Sequence, residues 1–228
     1  MTITLITGAN KGIGYATAEQ LLELGHTVYI GARDAQRGAK AAAELGAAFV
    51  RLDVTDDASV TDALATIGAE QGRLDVLVHN AGVLGNEPLG GPAALRVFDT
   101  NAVGIVRVTE AALPLLRKSA NPTVVTVSSS AGSFWAVTNP ERPEFTLPLA
   151  LYSASKAAAT MLTVQYAKAH PGIKFNAVEP GTTATDMTAA FGIGRSPRES
   201  ARTVVRLATL GVDGPTGTLQ DENGVLAW

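Results

Sequence analysis

Tyr152 and Lys156 close a Tyr-Ser-Ala-Ser-Lys segment inside a helix-like run, where residues four apart are neighbours on one face. An ammonium beside a phenol favours the phenolate, so Lys156 is expected to draw Tyr152 below the ordinary phenol pKa of about 10. A tyrosine tuned this way is a general acid for an oxygen that is gaining charge. The same two residue types also share ordinary solvated helix faces, so the pair needs a setting that supplies a reaction.

The N-terminal residues supply one. Thr2-Ile3-Thr4-Leu5-Ile6 reads as a buried strand, Thr7-Gly8-Ala9-Asn10-Lys11-Gly12-Ile13-Gly14 as a glycine-rich turn, and Tyr15 to Leu24 as a helix. Glycines there permit unusual backbone angles and let main-chain N–H groups approach a pyrophosphate at the positive helix end. Gly8, Asn10, Lys11, Gly12, Ile13 and Gly14 are the candidate contacts. The spacing G-x-x-x-G-x-G departs from the commoner G-x-G-x-x-G and marks a variant loop.

Asn80-Ala81-Gly82 follows one strand-like run and Ser128-Ser129-Ser130 another, in order between the glycine loop and Tyr152. From Thr2 to a closing strand near Leu219 the chain thereby resembles the short-chain dehydrogenase/reductase family. The resemblance implies one doubly wound, Rossmann-like α/β domain over residues 1–228, with a central parallel sheet flanked by helices on both faces. Its N-terminal part would bind the cofactor and its C-terminal part the substrate. Tyr152 would donate the proton, and Lys156 would activate it and bind the nicotinamide ribose. Ser129, three residues before Gly132, would hydrogen-bond the reacting carbonyl oxygen. Ser128 and Ser130 compete for that role, but alternation along a strand end puts both on the side opposite Ser129. Asn101 would hold a water linked to the lysine, or is simply a surface helix residue. Asp53 and Val54 match the adenine contacts, or form an ordinary capping stretch with Thr55 and Asp56. Asn80, Ala81 and Gly82 match the adenosine side, with His79 standing where the family usually has Asn. Pro180, Gly181, Thr183 and Thr185 match the segment facing the nicotinamide carboxamide and phosphates, Thr183 through its backbone and Thr185 through its hydroxyl.

The second strand bears on the choice of cofactor. Enzymes using the non-phosphorylated dinucleotide place an acid at its end to bind the adenosine ribose. Here Tyr29-Ile30-Gly31-Ala32-Arg33-Asp34 puts Ala32 at that position and Arg33 after it. Arg33 and Lys11 together suit a 2′-phosphate, which favours NADP(H). Asp34 is the rival, as a ribose acid, if the strand ends later than it reads.

Composition bounds the rest. The chain has 228 residues, 46% hydrophobic and 17% charged, enough for a sizeable single core. A net charge of −3 leaves no basic footprint for nucleic acid. Absence of cysteine removes disulfides and thiolate metal sites. His26, His79 and His170 are too scattered for a metal site. No leader or spanning run is evident, so a cytoplasmic protein without membrane attachment is the default expectation.

Further strands are expected at Thr27 to Ile30, Ala48 to Leu52, Val76 to His79, Thr123 to Val127 and Lys174 to Val178. Ser196-Pro197-Arg198-Glu199 predicts a capped helix running to about Leu210 and ended by Gly211. Pro114 predicts a bend in the helix after Asn101. Ser133 to Leu151, with Phe134, Trp135, Phe145 and three prolines, reads as an inserted loop that either shapes an apolar pocket or caps an interface. This insert and the tail from Gly217 to Trp228 resemble the carbonyl-reductase branch. Small residues at Ala154, Ala157, Ala158 and Ala159, with Met161 and Leu162, predict a homo-oligomer, dimer or tetramer. Three readings follow: an NADPH-dependent ketone or aldehyde reductase, an alcohol dehydrogenase using the same residues in reverse, and a cofactor-binding sensor without turnover. The set Asn101, Ser129, Tyr152, Lys156 argues against the sensor, which needs no proton donor.

Overall fold

Strands β1 (Ile3–Thr7), β2 (Thr27–Ala32), β3 (Ala48–Arg51), β4 (Val76–His79), β5 (Thr123–Val127), β6 (Lys174–Val178), β7 (Thr218–Asp221) and β8 (Gly224–Val225) form one sheet in the order β3-β2-β1-β4-β5-β6-β7-β8. All neighbours are parallel except β7 and β8. The chain is described from a computed structural model that covers residues 1–85, 88–189 and 192–228. Helices α1 (Gly12–Glu23), α2 (Ala35–Leu45), α3 (Asp57–Gln71), α4 (Gly91–Phe98), α5 (Gly104–Leu116), α6 (Phe134–Thr138), α7 (Ala150–Ala169) and α8 (Pro197–Ala208) connect them.

The central strands β1, β4 and β5 are buried along their whole length because both faces of the sheet are covered. Adjacent residues of β1 enter opposite cores: Leu5 packs with Leu77 and Phe175, Ile6 with Val78, Val125 and Val178. This is a single α/β, Rossmann-like domain. The chain leaves β1 in one direction along the sheet and returns beside it as β4 to continue the other way. That reversal opens a crevice at the carboxyl ends of β1 and β4, the usual ligand position in such sheets.

Local boundaries refine the sequence reading. β2 extends two residues past Ile30, so Ala32 is its last residue and Arg33 the first beyond it. β3 stops one residue before Leu52, and α1 begins three residues before Tyr15. α8 carries the expected capping box but ends at Ala208, with Thr209 and not Gly211 at its cap. Pro114 lies inside α5, which continues past it to Leu116. An irregular turn falls at Asp99–Val103, a π-helical segment that joins α4 to α5 and contains Asn101. Such segments widen the hydrogen-bond ladder and occur often at functional sites. Among the described residues no helix is long and apolar enough to cross a membrane.

Candidate active site

The glycine turn between β1 and α1 is shaped by close contacts. Gly8 and Gly12 take left-handed angles, with φ of 64° and 60°. A Cβ on Gly14 would stand 2.4 Å from Asn80 Nδ2. Asn80 therefore reaches through the space a side chain would fill, donating from Nδ2 to the Thr7 carbonyl at 2.9 Å and the Gly8 carbonyl at 3.0 Å. The backbone N–H groups of Asn80 and Ala81 donate to Thr7 Oγ1. The side chain of Asn80 thus braces the loop rather than facing outward.

Lys11 is the N-cap of α1 and supplies no side-chain cap. The first N–H groups of α1 consequently lack a capping side chain, and an uncapped helix start beside a glycine cradle suits a pyrophosphate. Lys11 Nζ pairs with Asp186 Oδ2 at 2.6 Å, both side chains exposed. Asp186 follows Thr185, whose Cγ2 would lie 3.3 Å from a Cβ on Gly12. The segment from Pro180 thus folds over the glycine turn, as a dinucleotide clamp requires. Thr183 is buried, its hydroxyl bonded to the Gly181 carbonyl and to Ser200 Oγ and its own carbonyl accepting from Thr188 Oγ1, which leaves its backbone N–H for any ligand contact. Thr185 and Thr188 exchange a hydroxyl contact at 3.3 Å.

At the end of β2, Asp34 is the N-cap of α2. Its carboxylate accepts from the Arg37 N–H at 3.0 Å and pairs with the Arg37 guanidinium at 3.5 Å. It is therefore engaged as a helix cap, which weakens it as a ribose acid. Arg33 is exposed. Asp53 accepts from both the N–H and the hydroxyl of Thr55, while Val54 is buried against Gly104 and its carbonyl accepts from Arg107. The cap of α3 falls to Asp56, which accepts from the Ala58 and Ser59 N–H groups, so Asp53 and Val54 stand just past the end of β3 without a capping role.

Asn101 is buried, its amide bonded in both directions to the Val83 backbone at 2.8 Å and donating to Ser155 Oγ at 2.9 Å. It is not a surface residue. It locks the segment after β4 to α7, and a Cβ on Gly82 would lie between Asn101 Oδ1 at 3.4 Å and Lys156 Nζ at 3.5 Å.

The serines separate by partner. Ser128 Oγ donates to the Lys156 carbonyl at 3.1 Å and meets Thr160 Oγ1 at 2.6 Å. Ser130 Oγ donates to Glu144. Ser129 Oγ accepts from the Ala131 N–H at 3.2 Å, and Ser129 is the serine that acts on the Tyr152 phenol, lowering its pKa. Gly132 lets this loop lie directly on α7, since a Cβ there would stand 2.6 Å from the Ala157 nitrogen.

Lys156 is buried in α7, with Nζ donating to the Val127 carbonyl at 2.7 Å and lying 5.7 Å from the centre of the Tyr152 ring. Burial pushes it down to about 8, against the raising effect of Glu179. The Tyr152 phenol differs from the sequence expectation. Burial pushes it up to about 12, Glu179 raises it further, and only the Ser129 hydrogen bond lowers it. The ammonium lies over the ring and bonds a carbonyl, so its charge does not overcome the loss of water around the hydroxyl.

Glu179 and Glu144 were not singled out from the sequence. Glu179, just after β6, accepts from the Ser130 N–H and from the Gly181 N–H, the latter at 2.7 Å. Glu144 is buried in a 3-10 turn at Pro143–Thr146 and is held by Ser130 and by Arg142 at 3.0 Å. A carboxylate at the carboxyl end of a buried strand is a recognisable signal for Glu179, because that edge faces the crevice. Glu144 gave no such signal within a proline-rich loop. The histidines are structural. His79, pushed down to about 3 by burial, bonds Thr109, and His26 bonds Thr4. No group of three or more potential metal-ligating side chains occurs among the described residues.

The family model for short chain dehydrogenases matches residues 2–195. A short-chain dehydrogenase/reductase of Stachybotrys chlorohalonatus is 37% identical over 98% of this chain and 89% of its own length. Salutaridine reductase from Papaver somniferum superposes with a TM-score of 0.86 at 29% identity, covering 96% of this chain and 99% of that one. NADPH-bound carbonyl reductase from chicken fatty liver gives a TM-score of 0.86 at 28% identity over 100% of both chains. With the glycine turn, the serine loop and the Tyr152–Lys156 helix in one crevice, this chain belongs to the short-chain dehydrogenase/reductase family of oxidoreductases.

Proposed function

We propose that the protein is an NADPH-dependent reductase of a ketone or aldehyde, with Tyr152 as proton donor. The observation that carries this reading is the buried Lys156 ammonium 5.7 Å from the centre of the Tyr152 ring, beside a serine loop in which Ser128 and Ser130 are committed elsewhere and Ser129 is left to act on the phenol. A serine hydroxyl and a phenol at one site suit a carbonyl oxygen, Ser129 steadying the growing charge and Tyr152 giving the proton. When bound, the nicotinamide supplies the hydride. A phenol raised to about 12 stays protonated throughout the neutral range, the form that donation to a carbonyl oxygen requires. Lys156 lies between the Val127 carbonyl and Tyr152, positioned to hold ribose hydroxyls and to relay a proton.

Arg33 beyond β2 supports the phosphorylated cofactor, with Asp34 turned to cap α2. Arg37, on the first turn of α2, adds a nearby cation that lowers the Asp186 carboxyl together with Lys11. Salutaridine reductase and the carbonyl reductase with bound NADPH, both similar in fold to this chain, are consistent with this reading. The test is a panel of ketones and aldehydes with NADPH, followed at the nicotinamide absorbance. A protein that binds NADPH and oxidises it with no carbonyl in a broad panel would contradict the reading.

A further inference from the structure

We propose that Glu179 is a positioning residue of this site: its carboxylate ties the serine loop to the Pro180–Gly181 turn and holds a negative charge against Tyr152 and Lys156. This rests on the reductase reading above only for the step it serves.

Each oxygen of the Glu179 side chain is used for a different loop. Oε2 accepts from the Ser130 N–H and Oε1 from the Gly181 N–H. The first bond fixes the backbone next to Ser129, and the second fixes the turn assigned above to the nicotinamide. The Glu179 N–H in turn donates to the Gln220 carbonyl at 2.8 Å, so the bridging side chain stands on a paired strand end. On the far side of the turn, Arg195 donates to the Pro180 carbonyl through Nε at 3.1 Å and Nη2 at 2.6 Å. The turn is therefore clamped from both sides, by a carboxylate on its N–H and a guanidinium on its carbonyl.

The charged and titratable groups around Glu179 are Tyr152 and Lys156 on α7, Glu144 with Arg142 on the insert, reached through Ser130, and Arg195 behind Pro180. Arg195 pairs with Glu222, and Arg142 with Glu144. Glu179 acts on both members of the α7 pair, keeping the lysine charged and the phenol protonated. That field keeps the cation charged and the phenol in the form that holds a proton to give, at the cost of making the phenol a weaker acid. A neutral residue that only filled the space would supply neither effect.

The test uses Glu179→Gln, Glu179→Ala and Glu179→Asp in the full chain, with folding checked by circular dichroism. The main readout is the NMR titration of Lys156 in lysine-labelled protein, assigned with Lys156→Met. A positioning role through charge predicts that the neutral variants move the Lys156 midpoint down by at least about half a pH unit. Glu179→Asp, which keeps the charge, should return it toward the wild-type value. Carbonyl reduction by the neutral variants should fall about tenfold or more in kcat, with NADPH affinity changed by less than about threefold. Lys156 titrating as in wild type in both neutral variants would overturn the proposal, as would unchanged kcat. The titration needs no turnover, so a wild-type protein that reduces no carbonyl would refute the functional reading while Glu179 is still decided by Lys156.

Discussion

Tyr152 and Lys156 share a helix face and yet are moved in opposite senses by the same burial, because one is neutral and the other charged when protonated. Tyr152→Phe keeps the ring and removes the proton. Turnover should drop at least about a thousandfold, at the upper end of what general acid catalysis contributes, while NADPH binding stays nearly intact. Residual activity above a few per cent would place the donor elsewhere. Lys156 carries a second, thermodynamic signature. Its folded pKa of about 8 lies below the ordinary 10.5, so burial costs stability wherever both states are protonated. Between those values the unfolded chain binds the extra proton, and stability rises with pH. Denaturation of wild type against Lys156→Met from pH 7 to 10 should therefore show the wild type gaining relative stability above about pH 8. A constant difference would mean that Lys156 is not buried as a charge. Cofactor choice belongs to this scale too. Arg33→Ala should weaken NADPH by about one to two orders of magnitude and NADH far less, since a charge-assisted hydrogen bond contributes about 1.5–3 kcal/mol. Lys11→Ala should cost less, because its ammonium is exposed and already paired with Asp186. Equal losses of both cofactors with Arg33→Ala would return the ribose role to Asp34.

At the scale of elements, the insert is tied to the serine loop by a buried charge. Burial pushes the Glu144 carboxyl up, but hydrogen bonds from Ser130 and Arg142 outweigh it and hold it below the usual range. Arg142→Ala should destabilise the protein by about 1–2 kcal/mol at neutral pH, less than for a fully buried pair because Arg142 is partly exposed. Glu144 is depressed, so its contribution is complete above the ordinary glutamate value and fades as pH falls through the folded one. Urea melts of both proteins should thus converge in acid, and a gap that persists there would assign the loss to the Arg142 contact with Trp135 instead. The insert was legible as an insert because Ser133 to Leu151 has no strand period and three prolines. Its anchor was not, since Glu144 meets Ser130 only through the fold. The strands were legible because branched residues run unbroken in sequences buried on both faces. Ala32 was missed as a strand residue, and Asp34 left ambiguous, because strand ends depend on the neighbouring β3 and not on local pattern. The π-helical turn at Asn101 has no local signal either. It follows from the bonds of Asn101 to Val83 and Ser155, made across the chain.

At the scale of the whole molecule, α7 has one face to spend. Ala159, Ser155, Lys156 and Thr163 are buried in the chain's own core, whereas Ala154 is exposed and Met161 is 58% exposed. Ala157, Ala158 and Leu162 are partly buried beside them. Small residues with one long flexible side chain let a second helix approach to about 8–10 Å. The Tyr152–Lys156 pair lies on the same helix, so pairing there would also stiffen the proposed site. A homo-oligomer is therefore expected through α7, with light scattering at micromolar concentration giving two or four chain masses. Met161→Glu should shift that mass to one chain, because a charge buried at an apolar contact without a partner costs several kcal/mol. It should leave the Ser129–Tyr152 geometry in place, so NADPH binding by the separated chain should persist. A wild-type mass of one chain at micromolar concentration would remove the interface, and an oligomer untouched by Met161→Glu would place it on another face.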